Sequence, residues 1–309
     1  MKLLIIHERA PEYAALIKAE LPDLEITAAR NKGEIPASLE ETDIILAWRV
    51  PKDVLKKATN VKWLASPGAG ADHLILPGLS EETVITKAPP LFGELIAEYV
   101  IGYVLHVSMC VGEVLRNMEK KSWTVPKRFR LRGRLMGILG MGTIGTEIAR
   151  TARFFGMKVW GLRRTSRPSS EADRVFGIEE LNDFLPHPDF IALTLPLTEE
   201  TRNLIALDQL SLMKPTCWII NVGRGRILNE DDLARVLQEG KLGGYVADVF
   251  AKEPLQEKSP LWDLPNVIVT PHYAALTRPE EFVPSFVENF RRLVTGRPLL
   301  FQIDRDRGY

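Results

Sequence analysis

Short apolar runs alternate along the chain with amphipathic stretches. Leu3–Ile6, Leu24–Ala28, Ile44–Ala47, Lys62–Leu64 and Val84–Thr86 read as strands, with helical spacing over Glu12–Glu20 and Lys52–Ala58 between them. This alternation predicts a small doubly wound parallel sheet. Pro89 and Pro90 then interrupt the chain before Leu95–Leu115, whose small and apolar residues recur at helical spacing. A second series follows, with strands at Leu135–Leu139, Lys158–Gly161, Phe190–Leu195, Trp218–Val222, Gly244–Asp248 and Val267–Thr270, and helices such as Asp231–Gln238 between them. The stretch Arg278–Gly296 reads as a helix with Phe282, Phe286 and Phe290 on one face.

The strand Leu135–Leu139 runs directly into Gly140-x-Gly142-x-x-Gly145, and a helical pattern resumes at Thr146. In a strand-to-helix turn the first glycine permits the tight turn, the second lets the backbone approach a diphosphate, and the third allows close helix packing. The unpaired amides at the helix start suit the anion. A dinucleotide site is therefore expected here. The acidic residue that usually accepts ribose hydroxyls about 20 positions later is missing. In its place stand Arg163, Arg164 and Thr165, followed by Ser166 and Arg167. A guanidinium cannot accept a hydroxyl hydrogen but suits a ribose phosphate, so NADP is expected over NAD, with NAD possible. The plain alternative is a solvated basic turn.

Composition narrows the reading. The 309 residues allow two ordinary domains. Lysine plus arginine equals aspartate plus glutamate at 40 each, which gives no bulk field for nucleic acid or an anionic membrane. Cys110 and Cys217 form neither a disulfide framework nor a metal-binding pattern, so reduced thiols and a cytoplasmic location are expected, with no metal site. The opening run Met1–Ile6 is too short for a signal peptide. Leu95–Leu115 carries Glu98, His106 and Glu113, which fits a packed helix better than a membrane span.

Three strand ends in the second series carry polar groups. Ile219–Gly225 delivers Arg224 between two glycines, Ala247–Pro254 carries Asp248 and Glu253, and Val269–His272 ends on a histidine behind a proline. Ligand crevices of open parallel sheets lie at such carboxyl ends. Taken singly, the arginine could be a surface ion pair, the histidine a satisfied structural group and the glutamate a helix cap.

Taken together and in this order, the segments resemble the D-isomer-specific 2-hydroxyacid dehydrogenase family. Ser66–Asp72, Ala97-Glu98, the glycine turn, Leu195–Thr201, Asn221–Gly225, Asp248–Pro254 and Pro271-His272 carry the resemblance over nearly the whole chain. It implies an α/β chain of two doubly wound parallel-sheet domains, Rossmann- or flavodoxin-like, with the active site in the cleft between them. A discontinuous substrate domain would comprise 1–91 plus 276–309, and a dinucleotide-binding domain 92–275. The implied activity is NAD(P)H-dependent reduction of a small 2-oxo acid, glyoxylate or hydroxypyruvate, to a D-2-hydroxy acid. By this resemblance His272 is the general acid, Glu253 orients its imidazole and favours the protonated form, and Arg224 binds the substrate. The amides of Ala69 and Gly70 would hold the substrate carboxylate, with Trp48 and Arg49 on the substrate side. Gly140, Gly142, Thr143, Ile144 and Gly145 would meet the diphosphate. Leu195, Pro196, Thr201, Val222, Gly223, His272 and Ala274 would line the cofactor path, with Asp248 near the nicotinamide amide. Family members use the region around Leu95–Leu115 to cross between subunits, so a homodimer is expected.

Two departures bear on this. Arg163 replaces the acidic anchor of NAD-using members, and Tyr273 is bulkier than many relatives have after the histidine. Glu253 argues against formate dehydrogenases, which carry glutamine there. At this length the added regulatory domain of long phosphoglycerate dehydrogenases is not expected. Two rival readings are a dinucleotide-sensing corepressor of the same fold, and a reductase of bulkier branched or aromatic 2-oxo acids.

Overall fold

The computed structural model describes residues 1–70, 72–75 and 79–305. It divides into two compact units, one joining Met1–Leu91 to Leu276–Tyr309 and the other comprising Phe92–Ala275.

The first unit opens with strand β1 (Lys2–Ile6), helix α1 (Ala10–Glu20), β2 (Glu25–Ala29), β3 (Ile44–Ala47), helix α2 (Lys52–Lys57), β4 (Trp63–Ala65) and β5 (Val84–Thr86). Among the described residues these strands form one parallel sheet ordered β2-β1-β3-β4-β5. The connection reverses direction at β1, as in flavodoxin-like folds. One face carries Leu4, Ile45, Leu64 and Ile85 against Val54 and Leu74. On the other face the indole of Trp63 stacks on Phe286 of the C-terminal helix, Pro279–Val294, with centroids 4.6 Å apart. That helix starts with proline, whose missing amide costs nothing in a first turn. It ends near Gly296, where φ is +65°. Phe282 and Phe286 are buried, while Phe290 is half-buried.

The second unit begins with α3 (Phe92–Ser108) and α4 (Val111–Glu119). The single helix expected over Leu95–Leu115 is thus two, meeting at 57°. Cys110 adopts a left-handed φ of 56°, and the Phe129 amide takes the Ser108 carbonyl as acceptor. A tertiary hydrogen bond thereby ends a helix that periodicity alone would continue. Among the described residues no single helix is long and apolar enough to cross a membrane.

The remaining strands are β6 (Leu135–Leu139), β7 (Lys158–Leu162), β8 (Arg174–Phe176), β9 (Phe190–Leu193), β10 (Trp218–Asn221), β11 (Gly244–Ala247) and β12 (Val267–Val269). They form a parallel sheet ordered β12-β11-β10-β9-β6-β7-β8. Helices α5 (Thr143–Phe154), α6 (Leu181–Phe184), α7 (Leu207–Leu212) and α8 (Glu230–Gln238) connect them. Leu139, Leu193, Ile219 and Ala247 contribute to one buried cluster with Phe184, Leu210 and Leu233. Because β9 pairs with β6 on the side opposite β7, the winding reverses at their carboxyl ends. Such a point opens a crevice. Strand β8 was not anticipated from the sequence. It is three residues long, and its Arg174 guanidinium lies 3.9 Å from the Phe176 ring centroid.

Helix α8 shows how the unit ties its loops. Asn229 caps it through Oδ1, which accepts from the Asp231 and Asp232 amides. Glu230 turns away, and its Oε1 accepts from the Ala251 amide at 2.6 Å. Burial, with the nearby Asp231 and Glu253 charges, raises the Glu230 pKa above 4.5 despite that amide. A carboxyl with a raised folded pKa supports folding most below its unfolded pKa and loses that support as pH rises. Glu230→Gln, which keeps the acceptor, should therefore be more stable than the parent at pH 7, by a margin that shrinks as pH falls toward 4.5. Urea titrations at pH 7 and 4.5 check this, and a margin that widens on acidification contradicts it.

Candidate active site

The glycine turn has the geometry that its spacing predicts. Gly140 sits at φ +115°, a region side chains rarely adopt. A Cβ on Gly145 would fall 2.1 Å from the Gly140 carbonyl oxygen, so only glycine lets α5 pack on β6 this closely. A Cβ on Gly142 would instead stand in open space. Gly142 caps α5 without a side-chain acceptor, which leaves first-turn amides near Thr143 and Ile144 for an anion.

At the end of β7, Arg163 is half-buried and its guanidinium makes no ion pair among the described residues. Arg164 and Thr165 are exposed, and Arg164 lies 3.5 Å from Glu200. At the end of β9, Leu195 is buried and the Thr201 hydroxyl donates to the Pro196 carbonyl at 2.7 Å. Gly223 is buried beside it, where a Cβ would come within 3.0 Å of the Leu195 carbonyl oxygen, and Val222 is half-buried. The ends of β9 and β10 thus lie side by side.

The chemical groups gather at the ends of β10, β11 and β12. Arg224 follows β10 and caps a short 3-10 turn, with one guanidinium nitrogen donating to the Gly223 carbonyl at 2.9 Å. A Cβ on Gly225 would lie 1.9 Å from the Phe250 carbonyl carbon, so the arginine loop presses directly on the segment carrying Glu253. The Arg226 side chain also donates to the Ala251 carbonyl. Glu253 Oε1 accepts from the Phe250 amide at 3.1 Å, and its Oε2 lies 2.9 Å from Nδ1 of His272. The imidazole side chain is 36% exposed, against 19% for the carboxylate. One end of the ring is therefore anchored, and Nε2 faces away from the anchor.

Asp248 is 2% exposed. Its Oδ1 accepts from the Thr270 hydroxyl at 2.7 Å and the Tyr273 amide at 2.9 Å, and its Oδ2 accepts from the Ala274 amide at 2.9 Å. Next to this segment a cavity of about 390 Å³ is lined by α3 residues, among them Leu95, Glu98, Tyr99 and Tyr103, and by Tyr273 and Ala274.

In the first unit, Ala69 and Gly70 follow β4, and their amides donate no hydrogen bond among the described residues. Trp48 is half-buried and packs on Gly68, where a Cβ would meet its ring at 1.7 Å. It also touches the His73 ring at 4.5 Å, and His73 Nε2 donates to the Trp48 carbonyl. Arg49 is exposed.

Several supporting residues escaped sequence reading. Buried Asn221 accepts from the Gly223 amide and donates to the Arg224 carbonyl at 3.2 Å, which fixes the arginine loop. Thr270 and Tyr99, 171 positions apart, meet through their hydroxyls at 2.7 Å. A polar residue closing an otherwise apolar strand was the one available signal for Asn221. Nothing in the local pattern marks Tyr99.

Comparison with known proteins agrees with this architecture. The family model for the D-isomer specific 2-hydroxyacid dehydrogenase NAD binding domain matches residues 101–274. A glyoxylate/hydroxypyruvate reductase A of Escherichia fergusonii is 32% identical over 302 residues, covering 95% of this chain and 94% of its own length. The crystal structure of a D-isomer specific 2-hydroxyacid dehydrogenase family protein from Aeromonas salmonicida superposes with a TM-score of 0.92 at 37% identity, over 99% of both chains. That of an NADPH-dependent glyoxylate/hydroxypyruvate reductase from Sinorhizobium meliloti, in complex with NADP and sulfate, gives 0.89 at 28% identity over 100% of both. The matched segment contains the glycine turn and the Arg224, Glu253 and His272 cluster, and the chain belongs to the D-isomer specific 2-hydroxyacid dehydrogenase family.

Proposed function

We propose that this protein reduces small 2-oxo acids of the glyoxylate or hydroxypyruvate kind to D-2-hydroxy acids, with NADP(H) as the preferred cofactor. The observation that carries the reading is the anchored pair of His272 and Glu253, 2.9 Å apart on the same loop cluster as Arg224. The Escherichia and Sinorhizobium relatives support the substrate class, and the latter supports the cofactor.

The second unit is the cofactor-binding domain in this reading and the first supplies substrate contacts. The residues present fit a dinucleotide. Gly142 leaves open space before uncapped amides, and Arg163 offers a guanidinium without an ion pair among the described residues. Gly140, Gly142, Thr143, Ile144 and Gly145 would hold the diphosphate, Arg163, Arg164 and Thr165 the ribose phosphate, and Leu195, Pro196, Thr201, Val222, Gly223 and Ala274 the path beyond. Oδ2 of Asp248 accepts one hydrogen bond and keeps capacity for the nicotinamide amide. The bound cofactor would supply a hydride.

The chain's own residues handle charge and the proton. With Nδ1–H donated to Glu253, the imidazole presents Nε2–H to the substrate carbonyl oxygen and protonates it as charge develops there. Arg224 grips the carboxylate and polarises the carbonyl through its fork. The amides of Ala69 and Gly70 would hold carboxylate oxygens, with Trp48 and Arg49 bounding the substrate side chain.

Two outcomes are expected. NADPH should give a higher kcat/KM than NADH for glyoxylate by roughly tenfold or more, the size of one charge-assisted contact, and Arg163→Asp should reverse the order. A steady-state panel of 2-oxo acids with both cofactors checks this. Equal values in the parent, or preference for branched and aromatic acids, contradict it. The second outcome concerns assembly. Leu115, Met118, Trp123 and Val125 expose apolar side chains on and after α4. We take the occupant of this face to be a second copy of the chain. Light scattering at micromolar concentration should give the mass of a dimer, and a monomer would refute it.

A further inference from the structure

We propose that Tyr99 is a positioning residue for His272, acting through a hydrogen-bonded relay from its hydroxyl to Thr270 and on to Asp248. The inference rests on the reading of His272 as the proton donor.

His272 needs support because its backbone is unusual. Its φ of 53° lies in the left-handed region, which a histidine adopts at an energetic cost. Such a conformation persists only where the surroundings hold it. Here the holding group is the Asp248 carboxylate. It accepts the two amides that follow His272, at Tyr273 and Ala274, and the hydroxyl two residues before it, at Thr270. The His272 amide also donates to the Thr270 carbonyl at 3.1 Å. The segment 270–274 is thereby wrapped around one buried carboxylate.

Proton counting sets the direction of the relay. The Thr270 hydroxyl has a single hydrogen, and its contact with the Asp248 carboxylate at 2.7 Å is shorter than that with the Ala247 carbonyl at 3.2 Å. With that hydrogen given to Asp248, the 2.7 Å contact between Tyr99 and Thr270 has the phenol as donor. A hydroxyl that accepts one hydrogen bond donates the next more strongly. Tyr99 therefore polarises Thr270 toward Asp248. Burial pushes the Tyr99 phenol well above its ordinary pKa, so it stays protonated and able to donate across the working pH range. Its ring is fixed between Tyr103, with centroids 4.6 Å apart, and Tyr273 at 5.8 Å. The consequence is that α3 sets the position of the loop carrying the proton donor.

Two readouts test the relay, one of them independent of turnover. In Tyr99→Phe the Tyr273 and Ala274 amides should exchange hydrogen at least about fivefold faster than in the parent, because their acceptor is less firmly held. The kcat for glyoxylate reduction should fall roughly tenfold with the glyoxylate KM within about twofold, since Arg224 and the Ala69 and Gly70 amides are untouched. Thr270→Ser keeps the relay hydroxyl and should stay within about threefold of the parent, while Thr270→Val should match Tyr99→Phe. The double variant Tyr99→Phe with Thr270→Val should be little worse than either single one, as expected for members of one chain. Unchanged exchange at Tyr273 and Ala274 overturns the proposal, as do multiplying effects in the double variant. If Tyr99→Phe fails to fold, the Thr270→Ser and Thr270→Val pair decides by the same measures. A parent that reduces no 2-oxo acid would sink the proposed function, while the exchange measurement would still judge the relay.

Discussion

Burial on both faces of a parallel sheet governs where chemistry can occur in this chain. Strands β6, β9, β10 and β11 are buried at nearly every position, so a charged side chain within them would lie in an apolar layer without water. Polar groups appear where the strands stop. Arg224 stands three positions after the end of β10, Asp248 follows β11 directly, and His272 stands three positions after the end of β12. Because the strands are parallel, these exits share one edge of the sheet, the edge on which the winding reverses between β6 and β9. The placement of Arg224, Asp248 and His272 in the second unit follows from the packing requirement of its core.

Close backbone approach does the rest of the positioning. Gly145 lets a helix start meet the first strand, and Gly225 lets the arginine loop lie against Phe250. A methyl group at either place would collide with backbone atoms, which cannot swing aside as a side chain can. The electrostatics then depend on few groups. Glu253 divides its oxygens between the Phe250 amide and His272, and Asp248 gathers three donors from the following segment. Each carboxylate thus fixes a loop as well as a charge.

Much of this was legible in the sequence because it depends on local pattern. Ile44–Ala47, Val84–Thr86 and Leu135–Leu139 are strands with the ends that the apolar runs gave, and most others differ by a residue or two. The glycine turn and the order of Arg224, Glu253 and His272 along the chain are enough to point to a family. What the sequence hid depends on distant partners. The break at Cys110 follows from a hydrogen bond between Ser108 and Phe129, and β8 has only three residues beside a basic loop. The contact of Tyr99 with Thr270 joins the first helix of the unit to its last strand end, which no periodicity encodes.

In the proposed reaction His272, oriented by Glu253, delivers the proton to the substrate. Single-turnover reduction of glyoxylate by NADPH in His272→Ala measures this most directly, because product release and cofactor exchange drop out. The expected result is a loss of at least ~100-fold in the chemical step with NADPH affinity nearly unchanged. A His272→Ala enzyme that turns over at close to the parental rate would contradict it.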